Sequence, residues 1–270
     1  MIGITLLTLL ACTADEPVDS ETGADTSDTG PPSYPSSYEA GKYRATSFQL
    51  VEDDDLDDDD VVDNKLPAVL QVAAFATGQP LKVDELNAQL AEEIESGGIL
   101  LLVDAQHIQG ELTVDLLLGI EDEIGGLSVD PASYEGGEPT SHMTGVFTTE
   151  TEGWLQADAI LLPVPFLEDE PAVPVPVEDV TSTWTLTETG AQGLVLGALP
   201  VDAFVDTVLE QLVPTGDEYD PAEYLDKDRE EFLEYIRELA NDPGVSDIEL
   251  PDGRRAVSAA LTVEAAPSDW

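Results

Sequence analysis

The densest chemistry in the chain is a run of carboxylates. Residues 52–64 read EDDDLDDDDVVDN, nine acids in thirteen positions. Side chains so crowded repel one another unless they are solvated, screened by salt or bridged by a cation. Catalytic constellations are scarcer. The sequence holds no Gly-x-Ser-x-Gly, His-Glu-x-x-His, phosphate-binding loop or glycine-rich dinucleotide fingerprint. Its two histidines are His107, in an apolar run, and His142, in a Ser-His-Met segment; both have the setting of structural or exposed residues. With 58 acids, some carboxylate pair will fall at glycosidase spacing by chance. Sugar platforms are few: Trp154 and Trp184 lie within strand patterns, and Trp270 reads as a frayed last residue. Arg254 and Arg255 read as partners of nearby acids such as Asp247, Glu249 and Asp252. The chain therefore reads as non-enzymatic.

Taken from Asp55, the acidic run is D-L-D-D-D-D-V-V-D-N, which resembles the D-x-D-G-D-G-x-x-D-N loops of thrombospondin type 3 repeats and the related EF-hand and dockerin loops. The resemblance implies a calcium site formed by Asp55, Asp57, Asp59, the carbonyl of Val61 and Asp63. A hard cation that takes six to eight oxygens favours such alternation of inward carboxylates. Two positions depart from the pattern: Asp60 replaces the turn glycine, and Leu66 stands where an EF-hand places a bidentate glutamate. A solvated acidic loop and a weak structural calcium staple both remain open.

The N-terminus reads MIGITLLTLLAC, an apolar run too short to span a ~30 Å hydrocarbon core as a helix but suited to a signal peptide. Leu9-Leu10-Ala11-Cys12 resembles the lipobox of bacterial lipoproteins, although no Lys or Arg precedes it. That resemblance implies cleavage after residue 11, lipidation of Cys12 and anchoring through acyl chains alone. Thr13, rather than Asp, follows the cysteine, which by the same resemblance favours the outer membrane. Residues 13–41 hold seven acids, no base and many Ser, Thr, Gly and Pro, the composition of a disordered, extended tether. Lipobox, tether, Asp-rich loop and closing strand together look like a group of uncharacterised bacterial envelope lipoproteins, a resemblance that implies a location and no activity.

Across all 270 residues, nine Lys and Arg oppose the 58 acids, a formal charge of −49. Such a chain repels phosphates and anionic lipid, which excludes nucleic acid and electrostatic membrane binding as partners. A single cysteine excludes an intrachain disulfide and any multi-thiolate zinc site. No Lys or Arg occurs between Lys82 and Lys227, and the dispersed acid excess resembles the surface of proteins from salty habitats. At 1 M salt the Debye length falls to ~3 Å and such repulsion is screened.

The elements that would carry these residues follow from periodicity. Strands are expected at 43–51, 99–108, 111–120, 143–150, 154–166, 181–189, 193–199 and 256–265, and helices at 64–77, 84–96, 201–213 and 221–241. The Pro-rich stretch 168–176 is expected to cross the surface rather than join a sheet. The predicted fold class is α+β: an antiparallel sheet of seven or more strands packed by three or four helices, in one domain spanning 42–270 after a signal peptide (1–11) and linker (12–41).

The functional expectation is a lipid-anchored envelope protein with a structural or binding role. Two alternatives differ in kind. A carrier would hold a small apolar ligand in a dry cavity lined by residues such as Leu100, Leu116, Ile160 and Leu194. A carboxylate-pair hydrolase would bring two acids into a cleft beside Trp154 or Trp184. No partner protein or ligand is legible in the residues.

Overall fold

A computed structural model describes residues 30–52, 56, 64–67, 69, 82–121, 126–164, 173–209, 213–216, 219–242 and 245–270. The compact unit described below spans Pro31–Trp270.

Eight long strands form an antiparallel meander: β1 (Ala40–Leu50), β2 (Leu101–Ile108), β3 (Glu111–Glu121), β7 (His142–Phe147), β8 (Glu152–Val164), β9 (Val173–Thr187), β10 (Gly190–Pro200) and β12 (Arg255–Pro267). Four short strands sit outside that series: β4 (Leu127–Val129) beside β3, the ribbon β5 (Tyr134–Glu135) with β6 (Glu138–Pro139), and β11 (Ile248–Glu249) beside β12. The first and last long strands then pair with each other, from Tyr43↔Pro267 to Leu50↔Leu261. That pairing closes the sheet into an eight-stranded barrel. The expected strands are therefore present, but the open sheet with helices packed on it, the α+β arrangement, is replaced by a mostly-β closed barrel. Alternation along single strands cannot reveal whether the two ends of a meander meet, and closure removes both sheet edges.

The inward positions explain why the ring can close without a hole. Trp184 is fully buried, and its cross-strand neighbours on both sides are glycines, Gly153 on β8 and Gly193 on β10. A Cβ on Gly193 would sit 2.7 Å from the indole ring, and one on Gly153 would sit 2.1 Å from Leu112 Cδ2. Large residues lie over missing side chains, the small-large alternation that fills a narrow barrel. Leu112, Val114, Met143, Phe147, Leu155 and Ile160 likewise have no exposed surface, so no water-sized space borders them. Register shifts in β1 between Ala45 and Ser47 and in β10 between Leu196 and Ala198 mark bulges that help the sheet curl.

Every long connection lies at one end of the barrel. There α1 (Val83–Ser96) turns Val83, Leu86, Leu90 and Ile94 inward and stops at Gly97, whose φ of 82° suits only a residue without a side chain. Its Asn87 amide accepts from Leu50 N–H at 2.8 Å and donates to Leu50 C=O at 2.9 Å, completing the end of β1 as a strand neighbour would. After β10, α2 (Val201–Ala203) continues into a π-wound stretch, Phe204–Leu209, and α3 (Arg229–Ala240) packs on it through Phe232, Leu233 and Ile236. Arg237 joins the two by ion pairs to Asp202 and Asp206 and also pairs with Glu234 on its own helix.

Of the expected helix 201–213, the described part is α over Val201–Ala203 and π-wound over Phe204–Leu209, and the expected helix 221–241 opens with a 3-10 turn, Pro221–Glu223, and becomes α only at Arg229. Leu225 and Asp226 have positive φ, and Asp228 caps the helix by accepting from Glu231 N–H. In the Pro-rich stretch, residues 173–176 belong to β9 after all. They pair with β8 alone, Pro174 with Pro163 and Pro176 with Leu161, beyond the last β10 contact at Glu178. Proline is admissible there because one side of the strand has no ladder to donate to.

The opposite end carries tight turns, including Gln109-Gly110 with φ of 57° and 91°. The preceding chain crosses it. Tyr34 N–H donates to Phe147 C=O, Ser36 Oγ to Glu150 C=O, and His107 N–H to Glu39 C=O. The Tyr38 and Tyr43 hydroxyls meet at 3.0 Å, and Tyr43 donates to Thr187 C=O. Contacts with the barrel thus begin before Lys42. At the other terminus Trp270 is held rather than frayed: Lys42 Nζ lies 4.0 Å from its ring centroid, and its indole N–H donates to Tyr43 C=O.

Filling the barrel this way predicts that Trp184→Ala costs about 3–5 kcal/mol and that Gly193→Val costs at least about 1–3 kcal/mol by overpacking. Denaturant unfolding followed by circular dichroism in molar salt checks both. Two changes of under about half a kcal/mol would contradict a packed interior.

Candidate functional site

Because the interior is filled, the outward side chains are what the barrel offers. Strand register aligns them in rows across the sheet. One row runs through Gln106, Thr113, Thr144, Gln156, Thr181 and Leu196. The next runs through Val146, Trp154, Thr183, Leu194, Thr262 and Gln49. None of these residues is charged. They are exposed or half-buried, in contrast to the inward set between them. Strands lie ~4.8 Å apart and successive outward residues ~6.7 Å apart, so a row crossing six strands follows the curved barrel wall for about 24 Å and two rows make a narrow belt.

Carboxylates border the belt on both sides. Towards the helical end lie Asp104, Asp115, Asp158 and Glu178; towards the turn end lie Glu111, Glu152 and Glu264. At the turn side the belt runs into a groove of about 370 Å³ lined by Thr46, Thr185, Thr187, Thr189, Gln192 and Glu264. That volume is within the range of small-molecule sites, ~300–1,000 Å³. The groove offers hydroxyl, amide and carboxylate groups; Thr46 Oγ1 already donates to Glu264 C=O at 3.2 Å.

The histidines lie on opposite faces of the sheet. His107 faces the barrel end, where its Nδ1 is 2.9 Å from Tyr38 C=O and its ring stands edge-on to Phe147 at 5.0 Å. His142 faces outward with Nδ1 2.5 Å from Asp115 Oδ1. Asp115 is paired in register with Asp104 on β2 and His142 on β7. Burial pushes the Asp115 carboxyl above the usual carboxylate range, and the contact with His142 opposes that only in part. The cluster lies on the open outer surface, with no nucleophile among its described hydrogen-bond partners.

Ser141, beside His142, spends its hydroxyl on the backbone of Leu161, accepting from N–H at 2.9 Å and donating to C=O at 3.0 Å. Trp154 and Trp184 are separated by the sheet, outside and inside, and neither stands in a cleft between two described acids.

The four residues expected to line a carrier cavity do not converge. Leu116 and Ile160 point inward and are buried; Leu194 lies in the outer belt, and Leu100 lies outside the main core against Gly119. Arg254 binds Glu178 through both terminal nitrogens and Asp252 through Nε, while Arg255 reaches Ser246 and, at 3.9 Å, Glu249. Asp247 instead holds Ser258, accepting from its N–H and its hydroxyl. Arg254 therefore ties the β11–β12 turn to β9, and Arg255 ties β11 to β12.

Cys12 and the calcium residues Asp55, Asp57, Asp59, Val61 and Asp63 lie outside the described residues. The base of the acidic loop is described. Val51 N–H donates to Ala260 C=O, and Asn64 Nδ2 donates to Val51 C=O at 2.7 Å. Lys65 N–H meets the Ser258 carbonyl and hydroxyl oxygens. The two ends of the run are thus clasped together on β12. Among the described residues, no group of three or more His, Cys, Asp or Glu is arranged to hold a metal ion. No described helix is long and apolar enough to cross a membrane.

Fold and surface together define a class: a closed, eight-stranded, up-and-down antiparallel barrel with a filled interior and an uncharged belt on an acidic exterior. The chain matches no family model, no curated protein and no solved structure. The belt was missed in the sequence. Its only local signal is the alternation in TSTWTLT, where outward threonines separate buried residues; the rows themselves exist only through register between distant strands.

Asp115 yields a signed expectation. A carboxyl whose pKa rises on folding supports stability at low pH and withdraws that support as pH climbs past the ordinary carboxylate range. Asp115→Asn should therefore gain stability relative to the parent above about pH 5, with the gain vanishing below about pH 4. Denaturant midpoints across that range test it; a variant less stable than the parent at neutral pH would show that the His142 contact outweighs burial.

Proposed function

We propose that the chain is a lipid-anchored, non-enzymatic protein of the cell envelope, whose barrel is a rigid binding body that meets its partner through the outer belt. The observation that carries this reading is the division of labour across the sheet. Inward positions are spent on packing around Trp184, while outward ones leave a continuous uncharged strip between two mainly acidic borders. The lipobox-like Leu9-Leu10-Ala11-Cys12 supports attachment through acyl chains, and the acidic linker supports a tether between anchor and barrel. Thr13 after the cysteine favours the outer membrane. A barrel closed at one end by the segment bearing Tyr34 and Tyr38 and capped at the other by helices suits a spacer or display role better than a container.

Calcium at Asp55, Asp57, Asp59, the Val61 carbonyl and Asp63 belongs to the same reading as a staple of the clasped loop. Its support is the ligand spacing and the closure of the loop base by Asn64 on Val51.

Two measurements test the reading separately. Cys12→Ser should move the protein from the membrane to the soluble fraction; unchanged fractionation would reject lipid anchoring. Isothermal titration with calcium should give heat that Asp55→Ala combined with Asp57→Ala removes. Equal heat from both proteins, or none from the parent, would remove the staple and leave the anchor untouched.

A further inference from the structure

We infer that the outer belt and its adjoining groove bind an uncharged polysaccharide, an inference that rests on the binding role proposed above and supplies its partner. Charge is the first ground. The belt carries no charge, and its borders are mainly acidic: Glu111, Glu152 and Glu264 on the turn side, and on the helical side Asp158, Asp104 opposite Lys42, Asp115 against His142, and Glu178 held by Arg254. An anionic polymer laid along it would be repelled from both borders, and a cationic one would leave it for the borders. A neutral chain meets no such repulsion and is free to settle on the strip.

Chemistry is the second ground. Thr144, Gln156, Thr181, Thr183 and Thr262 present hydroxyls and amides that donate and accept at once, as sugar hydroxyls do. Trp154 and Leu194 flank Thr183 in the same row and offer apolar surface to the C–H faces of a pyranose. The composition is wrong for a protein partner: contact cores favour several aromatics, Met and Arg, and the two rows hold one aromatic and neither of the others. Shape is the third ground. The strip is narrow, follows the curve of the barrel wall and opens along its turn side into the groove of about 370 Å³, where Glu264 and the threonine hydroxyls can hold one unit more firmly than the rest.

Cosedimentation of the full chain with insoluble cellulose, mannan, chitin and cross-linked dextran in molar salt tests this, with carboxymethyl-dextran as the anionic counterpart. At least one neutral matrix should retain the protein at least tenfold better than carboxymethyl-dextran does. Thr183→Glu and Trp154→Ala should each lower that retention at least tenfold, and Glu230→Gln on α3 should leave it unchanged. Circular dichroism and melting temperature confirm that each variant is folded; Gln156→Glu takes the place of Thr183→Glu if the latter is not.

Retention by none of the four neutral matrices overturns the inference, as does equal retention by the charged one or retention indifferent to Thr183→Glu. A dimer in sedimentation velocity that Thr183→Glu dissociates, without matrix binding, would assign the belt to a second copy. Each of these failures leaves the membrane fractionation of Cys12→Ser unaffected, so loss of the partner is distinguishable from loss of the anchored reading.

Discussion

Pairing of β1 with β12 is the constraint from which the rest of the structure follows. Seven residues of β1, from Tyr43 to Leu50 with one bulge, find partners between Pro267 and Leu261. Once the meander closes, the inner face is no longer a surface on which helices can lie, and it must be filled from within. Trp184, Phe147 and Leu112 do so by spreading over Gly153 and Gly193. The helices are then confined to one end, where α1 continues the work of the sheet by hydrogen-bonding both polar groups of Leu50. Sequence, packing and architecture meet in that one pairing.

Filling the inside has a functional consequence. A barrel of eight strands is wide enough either to be occupied by its own side chains or to enclose one small ligand. Here the inward residues leave no exposed surface at Trp184, Phe147, Met143 or Ile160, and both ends are covered by the chain's own segments. The segment bearing Tyr34 to Tyr38 is held by Phe147, Glu150 and the ring of His107. Burial raises the pKa of both Tyr38 and Tyr43, so their paired hydroxyls stay protonated as they close that end. The outer face is thereby the surface left for the binding role proposed above.

Much of the fold was legible in local pattern, and the reasons are physical. Period-two stretches gave β2, β3, β8, β10 and β12 to within a few residues, Gln109-Gly110 marked a turn, and Gly97 marked the end of α1. Local pattern failed where a nonlocal partner decides. Pro174 and Pro176 join β9 because only β8 lies beside them there, a fact of register rather than composition. The amphipathic run from Pro221 is interrupted because Tyr224 stacks on Tyr219 at 4.7 Å and Leu225 turns left-handed, so the helix restarts at the Asp228 cap. Trp270 reads as a loose end only until Lys42 is seen beneath it. The belt was illegible for the same reason: Gln106, Thr144 and Leu196 are far apart in the chain and become neighbours only through successive pairings.

The missing charge in the belt is not imposed by the fold. The belt positions are exposed or half-buried, and the same strands carry Glu111, Glu152 and Glu264 two residues or so away on the same face. Strand propensity accounts for threonine and for the half-buried Trp154, which pack well on a pleated surface, but it says nothing for Gln156 or Gln49. In a chain with 58 acids, two adjoining outward rows without one are the observation on which the proposed binding surface rests. The acidic excess, which at first describes only the salty medium the chain resembles, becomes a background against which that surface can be read.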